Sequence, residues 1–115
     1  MRRSLKRLPA FFYRLPGGRE PVREWLKRFP PAERQIIGED IKDVEFAWPL
    51  GLPLVRSLGD GLWEVRSALP GGRAARVIFA VEHECMVLLH GFVKKTQTTP
   101  KSDLELARRR RRDLA

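Results

Sequence analysis

Leu62–Lys95 reads LWEVRSALPGGRAARVIFAVEHECMVLLHGFVKK, the pattern of three consecutive β-strands joined by two tight turns. Leu62–Ser67 alternates, with Trp63 and Val65 on one side and Glu64 and Arg66 on the other. Pro70-Gly71-Gly72 supplies a turn, because glycine enters positive φ without steric cost. Ala74–Val81 is rich in β-branched and aromatic residues, as a strand should be. Glu82-His83-Glu84 turns the chain again, and Cys85–Lys94 forms the third strand.

Side chains alternate across a sheet with a period of two. That period puts Ala75, Val77, Phe79 and Val81 on one side of the second strand and Arg76 on the other. In the third strand it groups Val87, Leu89 and Val93, and opposes them with His90, Phe92 and Lys94. One bulge would exchange the two sides. If Arg66, Arg76, His90, Phe92 and Lys94 share a face, that face is cationic with an aromatic in it. Such a surface suits a phosphodiester backbone and a stacked base.

Working outward, 115 residues with 43% hydrophobic content make one folded domain, residues 1–115, with a modest core. The net charge of +9 is uneven. Residues 1–19 carry Arg2, Arg3, Lys6, Arg7, Arg14 and Arg19 and no acid. Residues 94–115 carry eight basic residues against Asp103, Glu105 and Asp113, whereas residues 20–93 carry nine against eleven acidic ones. Nucleic acid or an acidic protein is the natural complement; a charge that serves only solubility is the alternative. The lone Cys85 excludes an internal disulfide, fits a reducing cytosol, and by default is buried and inert. Arg2-Arg3 is followed by Lys6, Arg7 and Pro9 instead of an apolar export segment, and no stretch reaches membrane-span length. The expectation is a cytoplasmic protein with no membrane partner.

Toward the N-terminus, Phe11–Leu15 is a short strand for the sheet edge, ended by Pro16-Gly17-Gly18. A helix starts near Pro21, with Val22, Trp25, Leu26 and Phe29 as an amphipathic stripe. Pro31 opens a second helix whose buried side is Ile37, Ile41, Val44 and Trp48. The two are expected to form an antiparallel hairpin on the sheet. Leu54–Leu58 is a short strand or arm. Gly59-Asp60-Gly61 precedes a strand and not a helix, so it is a turn and not a dinucleotide fingerprint. After the sheet, Thr99 is the expected cap and Pro100 the first residue of a helix carrying Leu104, Leu106 and Ala107. Arg108–Arg112 closes it, as a solvated end or a phosphate-contacting tail.

The segments Leu62–Arg66, Ala75–Phe79, Val87–Pro100 and Glu105–Arg110 resemble the HigB-like, phage-derived branch of the RelE toxin superfamily. Leu88–Pro100 is the most specific piece, and the helix pair extends the resemblance over nearly the whole chain. The resemblance implies an α+β, RelE-like fold: two N-terminal helices packed on a mainly antiparallel twisted sheet, plus a C-terminal helix. It also implies the toxin of a type II toxin–antitoxin system, an mRNA endoribonuclease that works without metal or cofactor at the ribosome. A cognate helix-turn-helix antitoxin would neutralise it. In that pattern Arg76 is the strand arginine beside the scissile phosphate, Lys94 or Lys95 the basic residue ending the last long strand, and Arg66 the basic position of WE-x-R. Many superfamily members carry a C-terminal catalytic tyrosine; here the only tyrosine is Tyr13.

Metal-free RNA cleavage uses the neighbouring 2′-hydroxyl as nucleophile and needs charge neutralised on the phosphate. Arg76 suits a bidentate clamp, and Lys94 and Lys95 suit the leaving-group side. His90 is the candidate for proton transfer. Arg66, Arg73, Phe92, Arg108 and Arg109 are the candidate RNA contacts. Each has a plainer reading: His90 donating to a core carbonyl, Phe92 as core, Arg76 as a charge that discourages edge pairing. Glu82, His83, Glu84 and Cys85 contain metal-capable types, but a hairpin turn explains them better than a metal site. The competing function is a non-catalytic nucleic-acid- or partner-binding module using the same cations.

Overall fold

A computed structural model describes residues 5–94 and 98–114. Five strands form one sheet: β1 (Ala10–Phe12), β2 (Val55–Gly59), β3 (Leu62–Ala68), β4 (Ala74–Glu82) and β5 (Cys85–Lys94). Three helices cover it: α1 (Pro21–Lys27), α2 (Pro31–Ala47) and α3 (Lys101–Arg112). The strand order is β1-β5-β4-β3-β2, with β1 parallel to β5 and every other pairing antiparallel. The result is a mixed α+β sheet whose spine is the β3-β4-β5 meander expected from Leu62–Lys95.

Both turns of that meander form where the sequence placed them. Leu69 N–H donates to Arg73 C=O across Pro70–Gly72, where Gly71 and Gly72 have φ of 81° and 74°. His83 and Glu84 form a two-residue turn between paired Glu82 and Cys85, both with positive φ. The apolar side of the sheet is also as expected. Ala75, Val77, Phe79 and Val81 pack with Val22, Ile37, Ile41 and Val44 from α1 and α2. Trp48, just beyond α2, sets its ring edge-on to Trp63 at 5.2 Å and to Phe79 at 5.6 Å.

Four details depart from expectation. First, α1 and α2 do not form a hairpin on each other: α1 lies over β5 and α2 over β3. Seven residues make α1 only about 10 Å long, and Pro30, extended at φ −55° and ψ 149°, redirects the chain before α2 begins. Second, β5 carries a bulge. Ile78 opposes His90 but Phe79 opposes Leu88, so Leu89 is the extra residue. Val87 and Leu89 therefore share a side with His90 and Phe92, and only Val93 stays opposite. Third, the N-terminal strand spans Ala10–Phe12, because Tyr13 N–H makes the last bond to β5, at Leu88 C=O. Buried Glu45 anchors that strand: its Oε2 accepts the Ala10 N–H at 2.7 Å and pairs with Lys6 at 3.1 Å. Fourth, Cys85 is half-buried, its thiol 3.4 Å from His83 C=O.

The sheet's second side holds Leu62, Ile78, Ala80, Leu89 and Phe92, closed by Tyr13 and by Ala107 of α3. Pro100 flanks α3 and no side chain caps it. Thr99 instead gives its hydroxyl to Glu64 Oε1 at 2.9 Å. A proline contributes no N–H, so the helix start is left with fewer donors to satisfy. Among the described residues no helix is long and apolar enough to cross a membrane.

Candidate nucleic-acid interface

Register builds the cationic face row by row. Arg66 pairs with Arg76, and Arg76 pairs with Phe92 on its other flank. Arg56 pairs with Glu64, Glu64 with Ile78, and Ile78 with His90. Ala68, Ala74 and Lys94 make the next row. Cross-strand neighbours stand roughly 5 Å apart, and like charges placed directly opposite destabilise a sheet. Arg66 against Arg76 is such a pair, half on the surface and half in the core.

Glu64 is what makes the cluster tolerable. Its carboxylate is fully buried, with Oε1 on Thr99 and Oε2 at 3.9 Å from Arg76 Nε. Glu64 Oε2 and Arg76 Nε are both buried and make no hydrogen bond among the described residues. Arg76 Nη1 donates to Ala75 C=O at 3.1 Å. Arg76 and Lys94 are only 7% and 6% exposed. Burial is the main cause holding Arg76 below the ordinary arginine range; Arg66 and Arg56 add to it, and Glu64 opposes it. Burial likewise lowers Lys94, against the pull of Glu64 and with the help of Arg76, Arg66 and Arg56. Five side chains on four strands thus share one electrostatic neighbourhood. Beside it opens a cavity of about 430 Å³ lined by Arg66, Arg73 and Arg76, with Pro53, Leu69 and Gly72 among its walls.

The remaining candidates lie elsewhere or are occupied. His90 is on the same side of the sheet, but its Nε2 is 2.6 Å from Asp103 Oδ1 of α3 and its ring stacks on Phe92. It borders a different cavity from the arginine-lined one. Phe92 is 8% exposed and packs in the α3 core, so its ring presents no open platform to a base. Arg73 reaches the groove but is paired with Glu33 of α2. Arg108 is held by Asp60 at 3.2 Å, while Arg109 is exposed on α3. Lys95 lies outside the described residues.

Two participants escaped the sequence reading. Arg56 was passed over because β2 was only a short strand or arm, with no register to put it beside Glu64. Alternation puts Glu64 on the side of Arg66 but does not show that it is buried there. The alternation that buries Arg76 on that side should bury its cross-strand neighbours too, and this was the available signal. Among the described residues no three His, Cys, Asp or Glu side chains gather as a metal site would require.

The fold and site define a small basic α+β domain: a five-stranded mixed sheet with four cations gathered around one buried carboxylate beside an open groove. Residues 24–112 match the family model for the Gp49-like phage-derived protein (DUF891). The chain belongs to that family, one of toxin-like proteins associated with RNase function. A search of curated proteins finds no match.

Proposed function

We propose that this chain is the toxin of a type II toxin–antitoxin module, of the HigB/RelE-like kind, cleaving mRNA on the ribosome and held inactive by a cognate antitoxin. The observation that carries the reading is the convergence of Arg56, Arg66, Arg76 and Lys94 around Glu64, with Arg66 and Arg76 lining the adjoining groove. Membership of a toxin-like family supports it. In this mechanism the ribose 2′-oxygen forms a bond to phosphorus as the bond to the 5′-oxygen breaks, giving a 2′,3′-cyclic phosphate and a free 5′-hydroxyl. Arg76 and Lys94 neutralise the phosphate oxygens as charge accumulates, and Arg66 and Arg56 hold the flanking backbone. Glu64 is a positioning residue that keeps Arg76 aimed at the groove.

A non-catalytic RNA-gripping module is the second reading, favoured by one observation: His90 is tied to Asp103 and borders another cavity, so no histidine lines the arginine groove. Induced expression separates the two. The toxin reading expects growth arrest with new mRNA 5′-ends, both lost in Arg76→Ala and reduced at least tenfold in Arg66→Ala. Both variants should keep a wild-type circular dichroism spectrum and co-purify with the antitoxin. RNA binding without new 5′-ends in a translating extract, or full toxicity in folded Arg76→Ala, would decide against it.

A further inference from the structure

Where β5 runs past the end of β1, its open edge lies between α1 and α3. A second cavity of about 160 Å³ sits there, lined by Pro21, Trp25, Arg28, His90, Gly91 and Arg110. We propose that this pocket binds a phosphate group, separately from the arginine groove.

The lining brings Arg28 and Arg110 together with the His90 ring and the flat walls of Pro21 and Trp25, and it contains no carboxylate. Nearby acids are already taken: Glu20 faces Arg14 and Arg23, Glu24 is bound by Arg19 at 2.6 Å, and Asp103 lies against His90 Nε2. Arg28 is exposed and makes no ion pair among the described residues. Arg110 is anchored through Nη1 to Leu89 C=O at 2.8 Å and lies 5.7 Å over the Tyr13 ring. Its planar group is therefore held in place before a ligand arrives, which suits bidentate phosphate recognition. Asp103, on Nε2, fixes the orientation of the His90 ring at the pocket wall. Trp25 closes the floor so tightly that a Cβ on Gly91 would stand 2.4 Å from its Cε3 atom. The cavity has room for a tetrahedral oxyanion. The inference stands apart from the cleavage reading, because none of these six residues lines the arginine groove.

The test follows the imidazole proton signals of the whole chain by NMR during titration with inorganic phosphate, against sodium chloride at matched ionic strength. His90→Gln assigns the ring, and His83 on its exposed turn is the internal control. Saturable movement of His90 alone, with an apparent Kd raised about tenfold or more in Arg28→Gln, is the expected result. Arg28 is exposed, so that variant should fold normally. Movement that never saturates, or equals that of His83, or persists unchanged in folded Arg28→Gln, overturns the proposal. Short single-stranded ribonucleotides with a 5′-phosphate or a 5′-hydroxyl then identify the source. Tighter binding of the phosphorylated form assigns a terminal monoester, and equal binding a backbone diester.

Discussion

Glu64 places its carboxylate where solvent does not reach, and basic side chains surround it. Arg56, Arg66, Arg76 and Lys94 all act on the same small volume, and two of them are almost wholly buried. Removing one partner of a buried charge set leaves the rest uncompensated, which typically costs 3–5 kcal/mol. Glu64→Gln keeps the shape and the Thr99 contact but takes away the only anion in that set. Its unfolding free energy should fall by about 3 kcal/mol, read as a lower urea midpoint at unchanged m-value. The deficit should shrink in sulfate by more than the general salting effect seen in the wild type, because an oxyanion can take the vacated role. A Glu64→Gln variant as stable as the wild type, with no extra sulfate response, would mean that the cations do not feel this carboxylate. Apolar residues in place of the whole set, cations and Glu64 together, would serve stability at least as well, which fits a set kept for the proposed binding.

Among the elements, the β3-β4-β5 meander was legible because its turns are chemically marked and its strands obey a period of two. The bulge at Leu89 was not. Nothing in Leu88-Leu89-His90 marks an extra residue; only the register shows it, by setting Leu89 and His90 on one side of the sheet where strict alternation would separate them. The helix pair shows the same limit: amphipathic spacing located the apolar stripes but not the strand each would cover. Gly91 is the residue that fixes α1. It lets the Trp25 ring lie against β5, where Trp25 also meets Phe29 edge-on at 4.8 Å. Gly91→Ala would force that ring away, and overpacking of this kind costs roughly 1–3 kcal/mol. The expected outcome is a melting temperature lowered by several degrees with a changed tryptophan emission maximum, while Gly38→Ala, on α2 with nothing within 4 Å of the added carbon, should not lower stability. Unaltered emission and stability in Gly91→Ala would show that α1 is not seated by this contact.

At the scale of the whole molecule the question is which of 23 basic residues a nucleic acid can use. The sequence leaves the run Arg108–Arg112 open as a solvated end or a phosphate-contacting tail. Folding gives three of its five members internal partners: Arg108 on Asp60, Arg110 through Nη1 on Leu89 C=O, and Arg111 on Asp60 C=O and Glu82. Those partners lie 21 to 51 residues away in the chain, so no local reading of the run could have found them. The sheet cluster is the reverse case, modest in sequence and concentrated in space. Binding to single-stranded RNA should therefore follow the sheet. Counterion release gives a slope of about −0.7 in log K against log salt for each phosphate neutralised. Contacts from Arg56, Arg66, Arg76 and Lys94 then predict a slope of about −3, falling to about −1.5 in the double variant Arg56→Gln/Arg66→Gln. The double variant Arg109→Gln/Arg112→Gln removes two exposed α3 cations and should change the slope by less than half as much. Fluorescence anisotropy of a labelled uncleavable RNA, measured between roughly 50 and 300 mM salt, separates the two. If the α3 pair carried the larger loss, the electrostatic footprint would belong to the helix end, and the sheet cluster would have to be assigned to catalysis or stability alone.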